Sequence, residues 1–208
     1  MTRRALVMVG ASRRGGVSDA YAEVLAADFE RCGIQTALWR TAEHRVADCV
    51  GCARCRPEAV GAAAGPRACV IADDMQDLYA MIDAADELHL VCPVYFAGPT
   101  GRFKCVLDRL QPYWEYRIGP ASRFDRASET KRPAVLHVIG AGGDPFGFGP
   151  LETIVRSALG SAGFFLRETV DRIGWGQPAV EGEKRCFSAP TAKRERVDEN
   201  AERMNENE

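Results

Sequence analysis

The strongest constraint in this sequence is a change of hydrophobic period that repeats along the chain. Short apolar runs at residues 4–9, 34–39, 87–94, 133–140 and 163–170 have the length and composition of strands. Between them, apolar residues recur at helical spacing: Tyr21, Val24, Leu25 and Phe29 within residues 18–32; Met75, Leu78, Tyr79, Ile82 and Ala85 behind Asp73 or Asp74; then residues 100–117 and 150–162. Ser18 is the predicted N-cap of the first helix, Gly33 its stop, and Pro112 a predicted kink or break. Such alternation requires parallel strands covered by helices on both faces. Right-handed crossovers then make an open, doubly wound five-stranded sheet, expected in the order 2-1-3-4-5. Ligands of such sheets sit at the carboxyl ends of the strands, so the loops after strands one, three and four matter most.

Composition narrows the setting. The 208 residues are expected to form one domain over 1–192, with a cysteine-rich insertion at 41–72 and a charged, disordered tail at 193–208. Hydrophobic residues make up 46%, enough for a sizeable core, and the formal net charge of -2 excludes a strongly basic nucleic-acid binder. No apolar run approaches the roughly 18–20 residues needed to span a bilayer, and the start carries no cleavage signal. A cytoplasmic location is expected. There, the eight cysteines serve better as ligands, redox groups or packing than as structural disulfides.

The loop Gly10-Ala11-Ser12-Arg13-Arg14-Gly15-Gly16-Val17-Ser18 lies between the first strand and first helix. It matches neither GxGxxG nor a P-loop, but it sets hydroxyls, backbone N–H groups and arginines at a helix N-terminus, where a phosphate monoester would be well held. It reads equally as a Gly-rich turn with two solvated arginines. The third strand runs into Pro93-Val94-Tyr95-Phe96-Ala97-Gly98, an aromatic and close-approach segment suited to bordering a flat ligand.

Taken with Asp73-Asp74-Met75 and the Lys-x3-Asp-Arg segment ending at Arg109, these motifs resemble the NADPH-dependent FMN reductase-like family of flavodoxin-like fold, over about residues 4–170. The resemblance implies that Ser12, Arg13, Gly16, Val17 and Ser18 hold the FMN phosphate with Arg14 nearby. It also implies that Pro93, Val94, Tyr95, Phe96, Ala97 and Gly98 border the isoalloxazine ring. Gly140, Gly142 and Gly143, after the fourth strand, would supply a third edge. No protein nucleophile or acid–base pair stands out, and none is needed where the flavin carries the chemistry. NAD(P)H is the implied co-substrate. A homodimer is also expected, since the clustered aromatics Tyr113, Trp114 and Tyr116 point in different directions and are not expected all to face inward.

Cys49, Cys52 and Cys55 are spaced CxxCxxC, and Cys69 follows after thirteen residues. Three thiolates at such spacing can meet one corner of an iron–sulfur cube, with the fourth returning from Cys69. A four-thiolate zinc site or redox-active thiols fit the same count. The placement resembles the iron–sulfur flavoprotein branch of the family, which implies a [4Fe–4S] cluster and transfer of electrons to a small-molecule or redox-protein acceptor. A cluster-free quinone, nitro- or azo-reductase, a non-enzymatic electron carrier and a redox or metal sensor remain the alternatives. Cys32, Cys92 and Cys105 read as packing residues, and His89 and His137 as structural histidines inside strands.

Overall fold

The computed structural model describes residues 2–56, 69–120, 122, 124–125 and 129–173. The expected charged tail and part of the cysteine-rich insertion lie outside these residues. The elements are β1 (Arg4–Val9), α1 (Val17–Arg31), β2 (Gln35–Arg40), α2 (Met75–Ala84), β3 (Glu87–Pro93), α3 (Gly101–Asp108), α4 (Gln111–Arg117), β4 (Arg132–Gly140), α5 (Gly149–Ser161) and β5 (Phe164–Ile173). All five strands are parallel, in the order β2-β1-β3-β4-β5. This is a flavodoxin-like doubly wound sheet.

Burial follows from the period of two along each strand. On β1, Ala5, Val7 and Val9 pack with Ala22 and Phe29 of α1, while Leu6 and Met8 face the opposite layer. That second layer holds Met75, Leu78 and Ile82 of α2, Phe103 and Val106 of α3, Tyr113 of α4, and Leu151, Val155 and Leu159 of α5. The central strand β3 is buried along nearly its whole length, whereas β5 alternates Phe164 and Leu166 inward with Phe165 and Arg167 outward, as an edge strand does.

Three expectations are corrected. Helix α1 is capped by the extended Gly16, and Ser18 lies buried inside its first turn. The segment 100–117 is two helices, broken at Arg109 and Leu110 rather than at Pro112. Proline is tolerated in a first turn, where its missing N–H has no intrahelical partner, so Pro112 opens α4 instead of breaking it. Cys32 is exposed beyond the end of α1. As expected, the aromatics of α4 do not all face inward: Tyr113 is buried while Trp114 is partly exposed. Gly33 does end α1, with φ +76 and its N–H donated to Glu30 O at 2.9 Å.

On the α1 side of the sheet, β3 and β4 carry histidine where valine would be ordinary. His89 Nδ1 and His137 Nε2 are 3.1 Å apart, and His137 Nδ1 is 2.9 Å from Tyr21 Oη. Glu87 Oε2 lies 3.8 Å from His89 Nε2 and accepts from Arg3 at 2.8 Å. One neutral arrangement satisfies all of these contacts: Tyr21 donates to His137 Nδ1, His137 Nε2–H donates to His89 Nδ1, and His89 Nε2–H faces the carboxylate. A second proton on one ring would force Tyr21 Oη to turn and accept, and protonating both rings would set N–H against N–H between His89 and His137. Burial accordingly holds both histidines below their ordinary value of 6.5, His137 well below it.

Because the unfolded chain binds those protons near pH 6.5 and the folded chain does not, stability is full above pH 6.5 and falls as pH drops below it. The limiting slope is about 1.4 kcal/mol per pH unit for each histidine. Carboxylates whose folded values are lowered, such as Asp19 and Glu87, act only below their ordinary 3.8 and 4.5. Urea unfolding should therefore show a midpoint that declines between pH 7.5 and 5.5, and a His89→Val/His137→Val variant should flatten that decline. An equally steep decline in the variant would refute the assignment.

Candidate functional site

Three loops meet along the carboxyl edge of the adjacent strands β1, β3 and β4. The first begins at Gly10, whose N–H donates to Val91 O at 2.8 Å. A Cβ on Gly10 would lie 2.7 Å from the Phe103 ring, so only glycine lets β1 approach α3 this closely. Gly15 then takes φ +67 and Gly16 is extended, which turns the chain into α1. Among the described residues, the N–H groups of Ser12, Arg13, Arg14, Gly16, Val17 and Ser18 have no acceptor. Arg13 makes no ion pair among them either, whereas Arg14 pairs with Glu43 at 2.9 Å. A row of unused donors at a helix N-terminus, with a cation beside it, has the chemistry of an anion site.

Two residues that sequence reasoning missed hold this loop. Asp19, buried in the first turn of α1, accepts Gly15 N–H at 2.9 Å and Arg40 Nε–H at 2.6 Å. Burial works against its charge, but the Gly15 N–H and the Arg40 guanidinium more than offset that and hold its carboxyl below the usual range. Their separation of twenty-one positions hides the pair in the sequence. Thr100 also went unnoticed. Its hydroxyl donates to Gly10 O at 2.7 Å and accepts Phe103 N–H at 3.2 Å, so one side chain ties the first loop to the third strand's loop and caps α3.

The second loop leaves β3 at Pro93, and Val94 N–H donates to Ile139 O at 2.9 Å. Tyr95 and Gly98 exchange N–H···O bonds of 2.9 and 3.0 Å across a tight turn. At its tip, Phe96 (φ +50) and Ala97 (φ +59) are both left-handed, at a cost of order 1–3 kcal/mol each for non-glycine residues. Ala97 O accepts Leu151 N–H at 2.9 Å, which anchors the strained turn to α5. Phe96 is 99% exposed and Tyr95 57%.

In the third loop, Gly142 and Gly143 take φ +88 and +89, and a Cβ on Gly140 would sit 2.7 Å from Ile173. Phe146, also missed in the sequence, stands 78% exposed beyond them. The candidate residues of all three loops are thus gathered at one edge, with aromatic faces along the rim.

The cysteine loop occupies the carboxyl side of β2. Cys49, Cys52, Cys55 and Cys69 line one cavity of about 270 Å³, together with Arg109, Gln111 and Glu115. Gly51 and Ala53, both left-handed, shape the CxxCxxC turns, and Gln76 Nε2 donates to the carbonyls of Cys69 and Ile71 at 3.1 Å each. Burial, and then the Glu115 carboxylate, push the Cys55 thiol up. Among the described residues, no three His, Cys, Asp or Glu side chains stand in metal-holding geometry, so the four sulfurs share a cavity without forming a closed ligand set. Cys92 is a buried packing residue as expected, pushed up to about 12 by burial, and Cys105 is half-buried on α3.

A model of the NADPH-dependent FMN reductase family matches residues 3–148. The chain belongs to that family. It is similar to the iron–sulfur flavoprotein of Archaeoglobus fulgidus, with 24% identity over 110 residues, 53% of this chain and 46% of that protein. It is also similar to an iron–sulfur flavoprotein of Methanocaldococcus jannaschii, with 32% identity over 87 residues, 42% of this chain and 39% of that one. The matched segments span less than half the length of both relatives. Among solved structures, the NAD(P)H:quinone oxidoreductase of Methanothermobacter marburgensis superposes with TM-score 0.56 at 17% identity, over 83% of this chain and 86% of that one. The azoreductase of Bacillus anthracis gives 0.57 at 15% identity, over 84% and 88%. These two share the fold.

Thr100 offers a direct check on how the loops are held. Thr100→Val removes the donor to Gly10 O and the acceptor for Phe103 N–H, which should lower unfolding free energy by about 1–3 kcal/mol. Thr100→Ser keeps both bonds and should stay near wild type in the same denaturant titration. Equal stability of the valine variant and wild type would show that the crosslink carries no weight.

Proposed function

We propose that this chain is an FMN-dependent oxidoreductase that takes electrons from NAD(P)H and passes them through a [4Fe–4S] cluster to a small-molecule or redox-protein acceptor. The observation that carries the flavin part is the set of unused N–H donors on residues 12–14 and 16–18, at a helix N-terminus inside the family-matched region. Such a cradle fits a terminal phosphate dianion. FMN, when bound, supplies two-electron hydride chemistry together with the capacity to release electrons singly.

The protein's part is binding and orientation. Ser12, Arg13, Gly16, Val17 and Ser18 would hold the phosphate, through backbone N–H groups, two hydroxyls and the free Arg13 guanidinium. Arg14, engaged with Glu43, would contribute from the side. Pro93, Val94, Tyr95, Phe96, Ala97 and Gly98 would border the ring system. The tip of that turn is anchored through Ala97 O, so its aromatic faces are presented on a fixed backbone. Gly140, Gly142 and Gly143 would allow the ring's far edge to approach main chain without Cβ interference.

Cys49, Cys52, Cys55 and Cys69 would hold the cluster. Their shared cavity, the soft thiol donor set and the likeness to iron–sulfur flavoproteins support this assignment. The open arrangement of the sulfurs favours one second reading, a cluster-free NAD(P)H-dependent FMN, quinone or nitro reductase. We also infer a homodimer, in which a second copy covers the exposed Tyr95, Phe96 and Phe146 along the flavin rim. No helix among the described residues is long and apolar enough to cross a membrane; a cytoplasmic location is part of the same reading.

Two measurements test it. Arg13→Ala/Ser18→Ala should weaken FMN binding by at least a hundredfold, since charge-assisted hydrogen bonds contribute roughly 1.5–3 kcal/mol each. Undiminished FMN affinity would remove the phosphate assignment. Protein purified anaerobically should carry iron and acid-labile sulfide in equal amounts per FMN, and replacing any one of the four cysteines by alanine should remove both while FMN stays. Stoichiometric zinc, or FMN turnover without metal, would establish the cluster-free reading instead.

A further inference from the structure

The side chain that organises the cysteine cavity is Arg109. It is 1% exposed, yet it lines the cavity that the four cysteines share. Its Nη1 donates to Asp73 Oδ2 at 2.7 Å and its Nη2 to Asp73 Oδ1 at 3.0 Å, a bidentate fork. The same two nitrogens reach both ends of the cysteine loop: Nη1 donates to Ala47 O at 3.0 Å and Nη2 approaches Ile71 O at 3.4 Å. Asp73 Oδ2 completes the contact by accepting Ala47 N–H at 2.8 Å. One donor remains. The buried Nε–H of Arg109 has no acceptor among the described residues. A buried, charged, unsatisfied donor costs free energy unless an acceptor comes to it, and Arg109 shares its cavity with all four of the cysteines. The other charged groups there are Glu115, which is buried, and Arg54 and Arg56, which are exposed. Arg109 is thus the buried cation of this cavity among the described residues.

We propose that Arg109 is a positioning residue for the cysteine site, pinning both ends of the loop and presenting the positive end of its ion pair with Asp73, together with an N–H donor, to stabilise negative charge on the cysteine sulfurs. The inference rests on the reading of Cys49, Cys52, Cys55 and Cys69 as cluster ligands. Each one-electron reduction of such a site, for instance by dithionite, adds one negative charge with no bond made or broken. Net charge, hydrogen bonds to sulfur and burial set the potential of such sites. Asp73 neutralises the guanidinium overall, but of the pair only Arg109 lines the cavity, so the sulfurs face the positive end of the ion pair and its unused Nε–H; that field and donor raise the potential and make the site a readier acceptor from the flavin.

The test is a dithionite titration, monitored by electron paramagnetic resonance, of anaerobically purified full-length protein, with FMN content as the control for folding. Asp73→Asn/Arg109→Gln removes both charges and leaves no lone buried carboxylate. It should shift the one-electron equilibrium at least tenfold toward the oxidised site, which is 59 mV downward. Arg109→Lys keeps the charge but loses the fork and the Nε donor, and it should shift less than the double variant. An unchanged potential in the double variant overturns the proposal. If that variant loses iron while keeping FMN, Arg109→Lys decides: a potential below wild type supports the proposal and a wild-type value overturns it. Wild-type protein without iron overturns the cluster reading itself, and this inference with it.

Discussion

The buried pairing of Asp73 with Arg109 is the contact on which the carboxyl face of this protein is built. Four separate stretches of chain converge on it: the start of the cysteine loop at Ala47, its return at Ile71, the entry to α2 and the junction of α3 with α4. The junction is fixed from the other side as well, because Tyr79 donates to Arg109 O at 2.5 Å and Tyr113 donates to Asp83 at 2.7 Å. Burial works against both charges. The bidentate fork more than offsets it, holding Asp73 below and Arg109 above their usual ranges. Removing one partner of such a pair leaves an uncompensated buried charge, at a cost of about 3–5 kcal/mol. The pair therefore specifies one arrangement of the loop ends, whatever the cavity between them holds.

The loop between β1 and α1 uses a smaller version of the same device. Asp19 and Arg40 lock Gly15, and Thr100 joins the first loop to α3. Neither contact consumes the N–H donors of residues 12–14 and 16–18. The loop is consequently shaped before a ligand arrives, and its donors remain available. The aromatic turn follows a similar logic. Two strained residues, Phe96 and Ala97, are held by the Tyr95–Gly98 bond pair and by Leu151 N–H, and the exposed ring of Phe96 is carried on that rigid base. Preorganisation of this kind lowers the ordering cost of binding a flat ligand.

Most of the architecture was legible in the sequence because it depends on period alone. Five apolar runs and the helical spacing between them give the strand and helix order, and parallel crossovers give the sheet order seen in the structure. Glycine-rich loops marked the candidate edges for the same local reason. Contacts between residues distant in sequence were not legible. Nothing in the pattern links Asp19 to Arg40, Thr100 to Gly10 or His89 to His137, and each depends on the completed sheet. The break before Pro112 was misplaced because proline signals a boundary without saying on which side of it the helix ends. Cys32 read as apolar on the helix period, but it falls past the last turn of α1, where that period no longer predicts burial.

The central claim is that the backbone of residues 12–18 receives the phosphate of FMN. Titrating uniformly 15N-labelled protein with FMN, and in parallel with riboflavin, tests it most directly. The amide protons of Ser12, Arg13, Arg14, Gly16, Val17 and Ser18 should move downfield with FMN, as N–H groups do on bonding to an anionic oxygen. Riboflavin, which has the ring but no phosphate, should leave them in place and bind far more weakly. Equal binding of the two ligands, with the largest shifts lying outside residues 12–18, would contradict the account.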